Sequence, residues 1–324
     1  MRQLVVVGSL AYDDIETPRG RSGRILGGAA AYSALAASYF DLKVNVISVV
    51  GEDFRKEYLN LFSQKHGIDI KGIEIKQNEK TFYWAGKYFE DMNHRQTLIT
   101  DLNVLEKFDP IVPDTYKEPD ILLLANLSPV VQLKVISQMC RRPKLIVLDT
   151  MDFWIMTMLE ELKQVLQKID LLTINDQEAY MLSGEHTLRA AAKKILDMGP
   201  RYLIIKKGEH GALLFAQDKL FFAPALPLFE IFDPTGAGDT FAGALCGYLA
   251  TTDDYNFSNL KNGVIAGSVL ASFTVEKFGT DRLLSLKQNE IIQRINDFIE
   301  LVKFDFPNNL YIFNKTNGNE KQLH

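Results

Sequence analysis

Short apolar runs recur along the chain, each closed by glycine or a polar residue and followed by a stretch of helical character. Leu4-Val5-Val6-Val7, ended by Gly8, has the unbroken hydrophobicity of a strand covered on both faces. Lys43 to Val50 repeats it, and so do Ile121–Leu124, Leu145–Leu148, Leu171–Ile174 and Tyr202–Ile205. Between these runs the pattern predicts helices over Ala29 to Phe40, from Gly51-Glu52-Asp53 to about His66, and near Val130–Cys140, Leu159–Gln167, Asp176–Leu182 and Thr187–Met198. Strands alternating with helices predict an α/β fold, a doubly wound and mostly parallel sheet with right-handed crossovers.

One region breaks the rhythm. Between Ile73 and Thr100 the alternation has period two, clearest in Thr81-Phe82-Tyr83-Trp84-Ala85-Gly86-Lys87-Tyr88-Phe89 and again around Gln96 to Thr100. With no helix between them, these strands are expected to pair antiparallel and to stand apart from the parallel sheet. Together with the arginine-rich segment Ile15 to Ile25, they predict a small β lid, residues 12–26 and 72–101, on a single domain spanning 1–324. The lid aromatics are expected to be mostly lid core. Gly208 and Gly211 punctuate a hairpin from Tyr202–Lys207 to Ala212–Phe215, and the last helices fall at Phe257–Thr274 and Lys287–Lys303. The polar tail from Asn308 is expected to be loosely held.

Composition narrows the class. The 324 residues are 47% hydrophobic and 24% charged, as in globular proteins, and the net charge of −5 with no basic stripe predicts no nucleic-acid partner. A strand begins at Gln3, leaving no room for a signal peptide, and no apolar run reaches bilayer length, so the expectation is a cytoplasmic protein with no membrane partner. Cys140 and Cys246 both read as buried helical thiols, not a disulfide. The five histidines lack ligand spacing, which argues against zinc, and no serine occupies a nucleophile elbow.

Candidate chemistry concentrates in Asp233-Pro234-Thr235-Gly236-Ala237-Gly238-Asp239-Thr240-Phe241-Ala242-Gly243. Glycines at the mouth of a helix let backbone N–H groups approach an anion, and the helix dipole favours negative charge there. Asp239, on the first turn, would then stand beside a phosphate as the base for an incoming hydroxyl. No lysine follows Gly238, so this is not the common nucleotide-hydrolase loop, and Phe241 stands where a dinucleotide fingerprint needs glycine. For Gly-Ala-Gly alone, a tight turn with Asp239 as a helix-start residue reads equally well. The helix beyond it is expected to pack closely at Gly243 and Gly247. Asp13, just past the first strand, is placed to hold a substrate hydroxyl, although Asp13 and Asp14 could equally decorate a turn. Asn175 and Glu178 form a capping-box pattern at another strand end, a position that also favours phosphate, and Asp149 ends a strand as either an outer metal group or a turn cap. Asp53 reads as a residue of the next helix start.

The longer string resembles the C-terminal signature of the PfkB carbohydrate kinases, the ribokinase-like superfamily, whose usual form is Asp-Thr-x-Gly-Ala-Gly-Asp; here Pro234 replaces the threonine. The resemblance extends to about Leu286. It implies a ribokinase-like fold and ATP-dependent transfer of a phosphoryl group, with Mg²⁺, to an alcohol of a small sugar-like substrate. Asp239 would be the base, and the amides of Gly236, Ala237 and Gly238 would hold the developing charge. Asp13, Gly27 and Gly28 match positions that orient the acceptor. Tyr32 replaces an asparagine that usually contacts the substrate, removing an amide and adding an aromatic face suited to stacking. Asn175 and Glu178 match an Asn-x-x-Glu motif serving Mg²⁺ through water, and Lys207, Gly208, Gly211 and Thr235 fall on the nucleotide side, with adenine between that hairpin and Gly263–Thr274. Asp233 matches the position beside which many relatives bind K⁺. Arg19, Arg21, Arg24 and Arg95 of the lid could grip a substrate phosphate or be solvated charges. The acceptor is expected to be a sugar first and a nucleoside second; a non-catalytic sensor is the opposing reading, and a homodimer through the lid is one assembly the family suggests.

Overall fold

The computed structural model describes residues 1–303; the tail from Asn308 lies outside the described residues. β1 (Gln3–Val7) leads into a hairpin of β2 (Ala11–Thr17) and β3 (Gly20–Gly27), then α1 (Ala29–Ala37) and β4 (Lys43–Gly51). The short α2 (Lys56–Asn60) precedes β5 (Asp69–Lys76), β6 (Phe82–Tyr88) and β7 (Arg95–Asp101). Regular alternation follows: β8 (Ile121–Leu124), α3 (Pro129–Ser137), β9 (Leu145–Asp149), α4 (Asp152–Thr157), α5 (Leu159–Leu166), β10 (Leu171–Asn175), α6 (Asp176–Ser183), α7 (Leu188–Leu196) and β11 (Tyr202–Lys206). After β12 (Ala212–Ala216) and β13 (Lys219–Ala223) come α8 (Ala237–Thr252), α9 (Phe257–Thr274), α10 (Asp281–Ser285) and α11 (Gln288–Val302).

The large sheet runs β13-β12-β11-β10-β9-β8-β1-β4-β5, parallel throughout except where β12 and β13 join antiparallel. Its strands are apolar on both sides because both faces are covered. Along β1, Leu4 and Val6 enter one core with α1, α8 and α9, while Val5 and Val7 enter the other with α3, α5 and α7. On the first face the helices touch closely through small residues. A Cβ on Gly243 would fall on the backbone of Ser33, and one on Gly247 would meet the ring of Phe40, so the expected tight packing of α8 is against α1. The chain leaves β1 for β4 on one side and β8 on the other. That reversal opens a crevice at the carboxyl ends of the strands.

A second sheet, β3-β2-β6-β7, stands apart from the first. β6 and β7 pair antiparallel as expected, but β6 joins β2 in parallel. Residues 72–76, expected in the lid, belong instead to β5 at the edge of the large sheet, paired in parallel with β4. The reason is the connection: α2 and the turn after it form a crossover, which a parallel pairing needs and period-two alternation does not reveal. The helix expected from Gly51 begins only at Lys56 and passes into a wide π turn at Leu61–Lys65. Asp53 is therefore not a helix-start residue; its Oδ1 accepts from the N–H and hydroxyl of Thr81, both at 2.7 Å, tying β4 to the entry of β6. Cys246 is buried as expected, whereas Cys140 is exposed because α3 ends at Ser137. Among the described residues no helix is long and apolar enough to cross a membrane.

Candidate active site

The signature segment lies where the crevice predicts a ligand. Gly236 has φ +76°, and α8 begins at the next residue. A Cβ at Gly236 would overlap the ring of Tyr32, so both backbone conformation and space demand glycine here. Gly238 is different: its φ is ordinary, and a Cβ would come within 3.0 Å only of the tip of Lys206. The Ala237 N–H is turned to Pro234 O at 3.3 Å, which leaves Gly238 and Asp239 to supply first-turn donors that have no acceptor within the helix. Asp233 is wholly buried and accepts from the N–H groups of Thr235 and Gly279, both at 2.9 Å, stapling the turn to the loop under β3.

Three chain segments bring side chains to this turn. From β2 comes Asp13, 4% exposed, with the Gly28 N–H facing its carboxylate. A Cβ on Gly27 would overlap that carboxylate, so the expected pair Gly27-Gly28 clears space for an acid as well as opening α1. From α1 comes Tyr32. Its ring is enclosed against Gly236, and the stacking face expected of it is not available. From the carboxyl ends of β9, β10 and β11 come Asp149, Glu178 with its cap Asn175, and Lys206. Asn175 and Glu178 form a reciprocal capping box at 2.8 Å in each direction. Asp149 accepts from Lys206 Nζ at 2.7 Å and from Thr173 at 2.9 Å.

Lys206 was not singled out from the sequence, which pointed to Lys207. Strand alternation explains the difference. Lys206 follows the buried run Tyr202–Ile205 and continues into the site, while Lys207 turns into the hairpin and pairs its N–H with Gly211 O at 2.8 Å. A lysine ending a wholly apolar strand at its carboxyl end was the signal available. Gly208 and Gly211 both hold positive φ in that hairpin, and Asn93 Nδ2, from the β6–β7 turn, donates to Glu209 Oε1 at 3.4 Å. Thr235 donates to Tyr88 Oη of β6 at 3.2 Å, so the second sheet lies directly over the signature turn.

Packing so many acids together shifts their titration. Burial, and then the charges of Asp233 and Asp239, push Asp13 up to about 8. Burial likewise raises Glu178 to about 7, with Lys206 opposing. Asp239 is raised by burial and by Asp149, and lowered by Lys206 and Arg95. Burial would lower Lys206, but Asp149, Glu178 and Asp239 together hold it above its usual value, so it remains an ammonium. Among the described residues no cluster of three or more His, Cys, Asp or Glu side chains could enclose a metal ion. Glu178 and Asp149 nevertheless suit Mg²⁺, which keeps most of its waters and takes few protein carboxylates.

The chain is 31% identical over 255 residues to a cytidine kinase of Thermococcus kodakarensis, an alignment covering 76% of this chain and 89% of that protein. It is 28% identical to a nucleoside kinase of Methanothermobacter thermautotrophicus over 86% of this chain and 91% of the relative. Among solved structures, the nucleoside kinase of Methanocaldococcus jannaschii superposes with a TM-score of 0.74 at 21% identity, covering 92% of this chain and 99% of that one. The model of the pfkB family carbohydrate kinases matches residues 1–286, and the chain therefore belongs to that family of phosphotransferases, which act on a hydroxyl of a sugar or nucleoside.

Proposed function

We propose that the protein is a nucleoside kinase, transferring the γ-phosphoryl group of ATP to a hydroxyl of a ribonucleoside. The carrying observation is the face shared by Asp13 and Trp84. The two are paired in register on β2 and β6, so their side chains leave the sheet on the same side. The half-buried indole lies over Gly86, and the Arg95 guanidinium reaches over the ring at 5.6 Å. A planar aromatic and guanidinium surface beside a hydroxyl-holding carboxylate suits a base joined to a sugar. A free sugar, the acceptor expected first from the sequence, leaves that surface unused. The similarity to cytidine and nucleoside kinases supports the same acceptor.

In this reading Asp13 orients the acceptor and ionised Asp239 takes the proton of its attacking hydroxyl. The new O–P bond forms as the bond between γ-phosphorus and ADP breaks. The first-turn amides of α8 hold charge developing on the phosphoryl oxygens, and Lys206 adds a fixed positive charge beside them. Mg²⁺, when bound, would neutralise charge on the phosphates, and Glu178 and Asp149 would hold it through its waters. Thr235 and the hairpin at Lys207, Gly208 and Gly211 serve the nucleotide, and the second sheet serves as a lid. K⁺, when bound, would be held near Asp233, whose carboxylate accepts from the amides of Thr235 and Gly279, and would add positive charge to the anion turn.

The test is ADP release with cytidine, uridine, adenosine, inosine, ribose and fructose, run in potassium and in tetramethylammonium buffers. Turnover of at least one nucleoside well above both sugars is expected, with higher rates in potassium. A sugar preferred over every nucleoside would overturn the acceptor, and equal rates in the two buffers would remove the ion. A homodimer through the exposed strand β7, which presents Leu98 and Ile99 to solvent, is the accompanying proposal for assembly. Sedimentation at twice the chain mass, lost in Leu98→Asp, is expected; a monomer at micromolar concentration would refute it.

A further inference from the structure

Tyr88 ends β6 on the face of the second sheet that carries Asp13, since Trp84, Gly86 and Tyr88 alternate to one side of the strand and Trp84 is in register with Asp13. Its side chain reaches beyond that sheet. The residue is buried, and its phenol oxygen meets two groups, the Thr235 hydroxyl at 3.2 Å and the Arg95 guanidinium of β7. Thr235 is buried too, and its N–H donates to Asp233 Oδ1 at 2.9 Å. A second contact from the same sheet reaches this turn. A Cβ on Gly279 would overlap the side chain of Ile25 in β3, and the Gly279 N–H donates to Asp233 Oδ2 at 2.9 Å. Both contacts end on Asp233 to Thr235, the residues that lead into Gly236 and the first turn of α8.

The two substrates are held by different parts of the molecule, the acceptor by the second sheet through Asp13 and the phosphates by the start of α8. A contact between those parts links the two binding events when it depends on how the sheet sits over the turn. The bond from Thr235 to Tyr88 is directional and joins side chains of the two parts, so it is lost once the sheet lifts, and water then takes both hydroxyls. We propose that Tyr88 is a positioning residue that couples acceptor binding to nucleotide binding. An acceptor on the Asp13 face seats the second sheet, Tyr88 then fixes Thr235, and the amides beyond Gly236 are held in place for the phosphates. By reciprocity, bound nucleotide tightens the acceptor by the same factor. Tyr88 touches no reacting atom in this scheme. The proposal rests on the phosphoryl-transfer reading of the site and takes the nucleoside reading only for its probes.

The test is calorimetric titration of the β,γ-imido analogue of ATP, with Mg²⁺, into the protein alone and with saturating cytidine, adenosine or ribose. In the wild type at least one of the three is expected to tighten the analogue by on the order of 10-fold. Tyr88→Phe, which keeps the ring, should bind the analogue alone about as the wild type does and lose on the order of 3- to 10-fold of the tightening. Adding Thr235→Val to Tyr88→Phe should cost no further coupling, because the pair acts as one contact. Melting of Tyr88→Phe near the wild-type temperature shows that the loss is not one of folding. Full coupling in Tyr88→Phe, or none in the wild type with any of the three, would overturn the proposal. Coupling with ribose alone would defeat the nucleoside reading instead, and the ribose titration of Tyr88→Phe then decides the role of Tyr88.

Discussion

Asp239→Asn is expected to lose turnover by on the order of 10²–10⁴ while melting at a higher temperature than the wild type. The first effect is loss of the base: an amide of the same size cannot take the acceptor's proton. The second follows from where the acid sits. Burial and Asp149 push its pKa to about 7 in the folded protein, against about 4 in the unfolded chain. A carboxyl raised on folding subtracts stability wherever the unfolded chain is ionised. The penalty is absent well below about pH 4, grows from there to about pH 7 and is constant above. Removing it gives a gain on the order of a few kcal/mol at pH 8, a rise of several degrees in Tm, and little difference at pH 4. Calorimetry at the two pH values, paired with single-turnover kinetics, checks both arms. Near-normal turnover would take the base role away from Asp239, and an unchanged Tm at pH 8 would show that its charge is solvated in the folded state. The same raised pKa of Asp239 places the acid limb of wild-type kcat/KM near pH 7 instead of in the ordinary carboxylate range.

Lys206→Met is expected to lower both stability and rate. The lysine and Asp149 side chains are 18% and 7% exposed, and the ammonium also faces Glu178 and Asp239. Removing one partner of a largely buried pair strands the other, at a cost on the order of 3–5 kcal/mol. The rate should fall on the order of 10²-fold, since a fixed charge beside the anion turn is lost. The acid limb should also move to higher pH, because Lys206, together with Arg95, lowers Asp239. The double variant with Asp149→Asn removes both charges and should recover much of the stability without recovering turnover. Recovery of both would make the pair purely structural, and a Lys206→Met enzyme with wild-type kcat and acid limb would remove Lys206 from the site.

Much of this architecture was legible in the chain. Runs such as Leu4–Val7 and Ile121–Leu124 are apolar at every position, which only a strand covered on both faces requires, so the parallel sheet could be read directly. The turn at Gly236 was legible because a left-handed residue at a helix mouth restricts the amino acid that can stand there. Asp13, Gly27, Gly28, Asn175 and Glu178 stood out because strand ends and caps have local rules. What the chain could not announce were relations set by neighbours distant in sequence. The alternation of Asp69–Lys76 suits either sheet, and only its crossover partner β4 decides between them. Lys206 becomes a site residue because β9 lies two strands away with Asp149 at its end, a placement made by sheet order. Tyr32 looked like a stacking ring from its chemistry alone. Its ring is closed off because α8 approaches α1 at Gly236. The sequence by itself determined the elements and the anion turn, through local backbone and burial rules; tertiary packing decided which buried charges and hydroxyls face one another, because that depends on contacts between segments far apart in the chain.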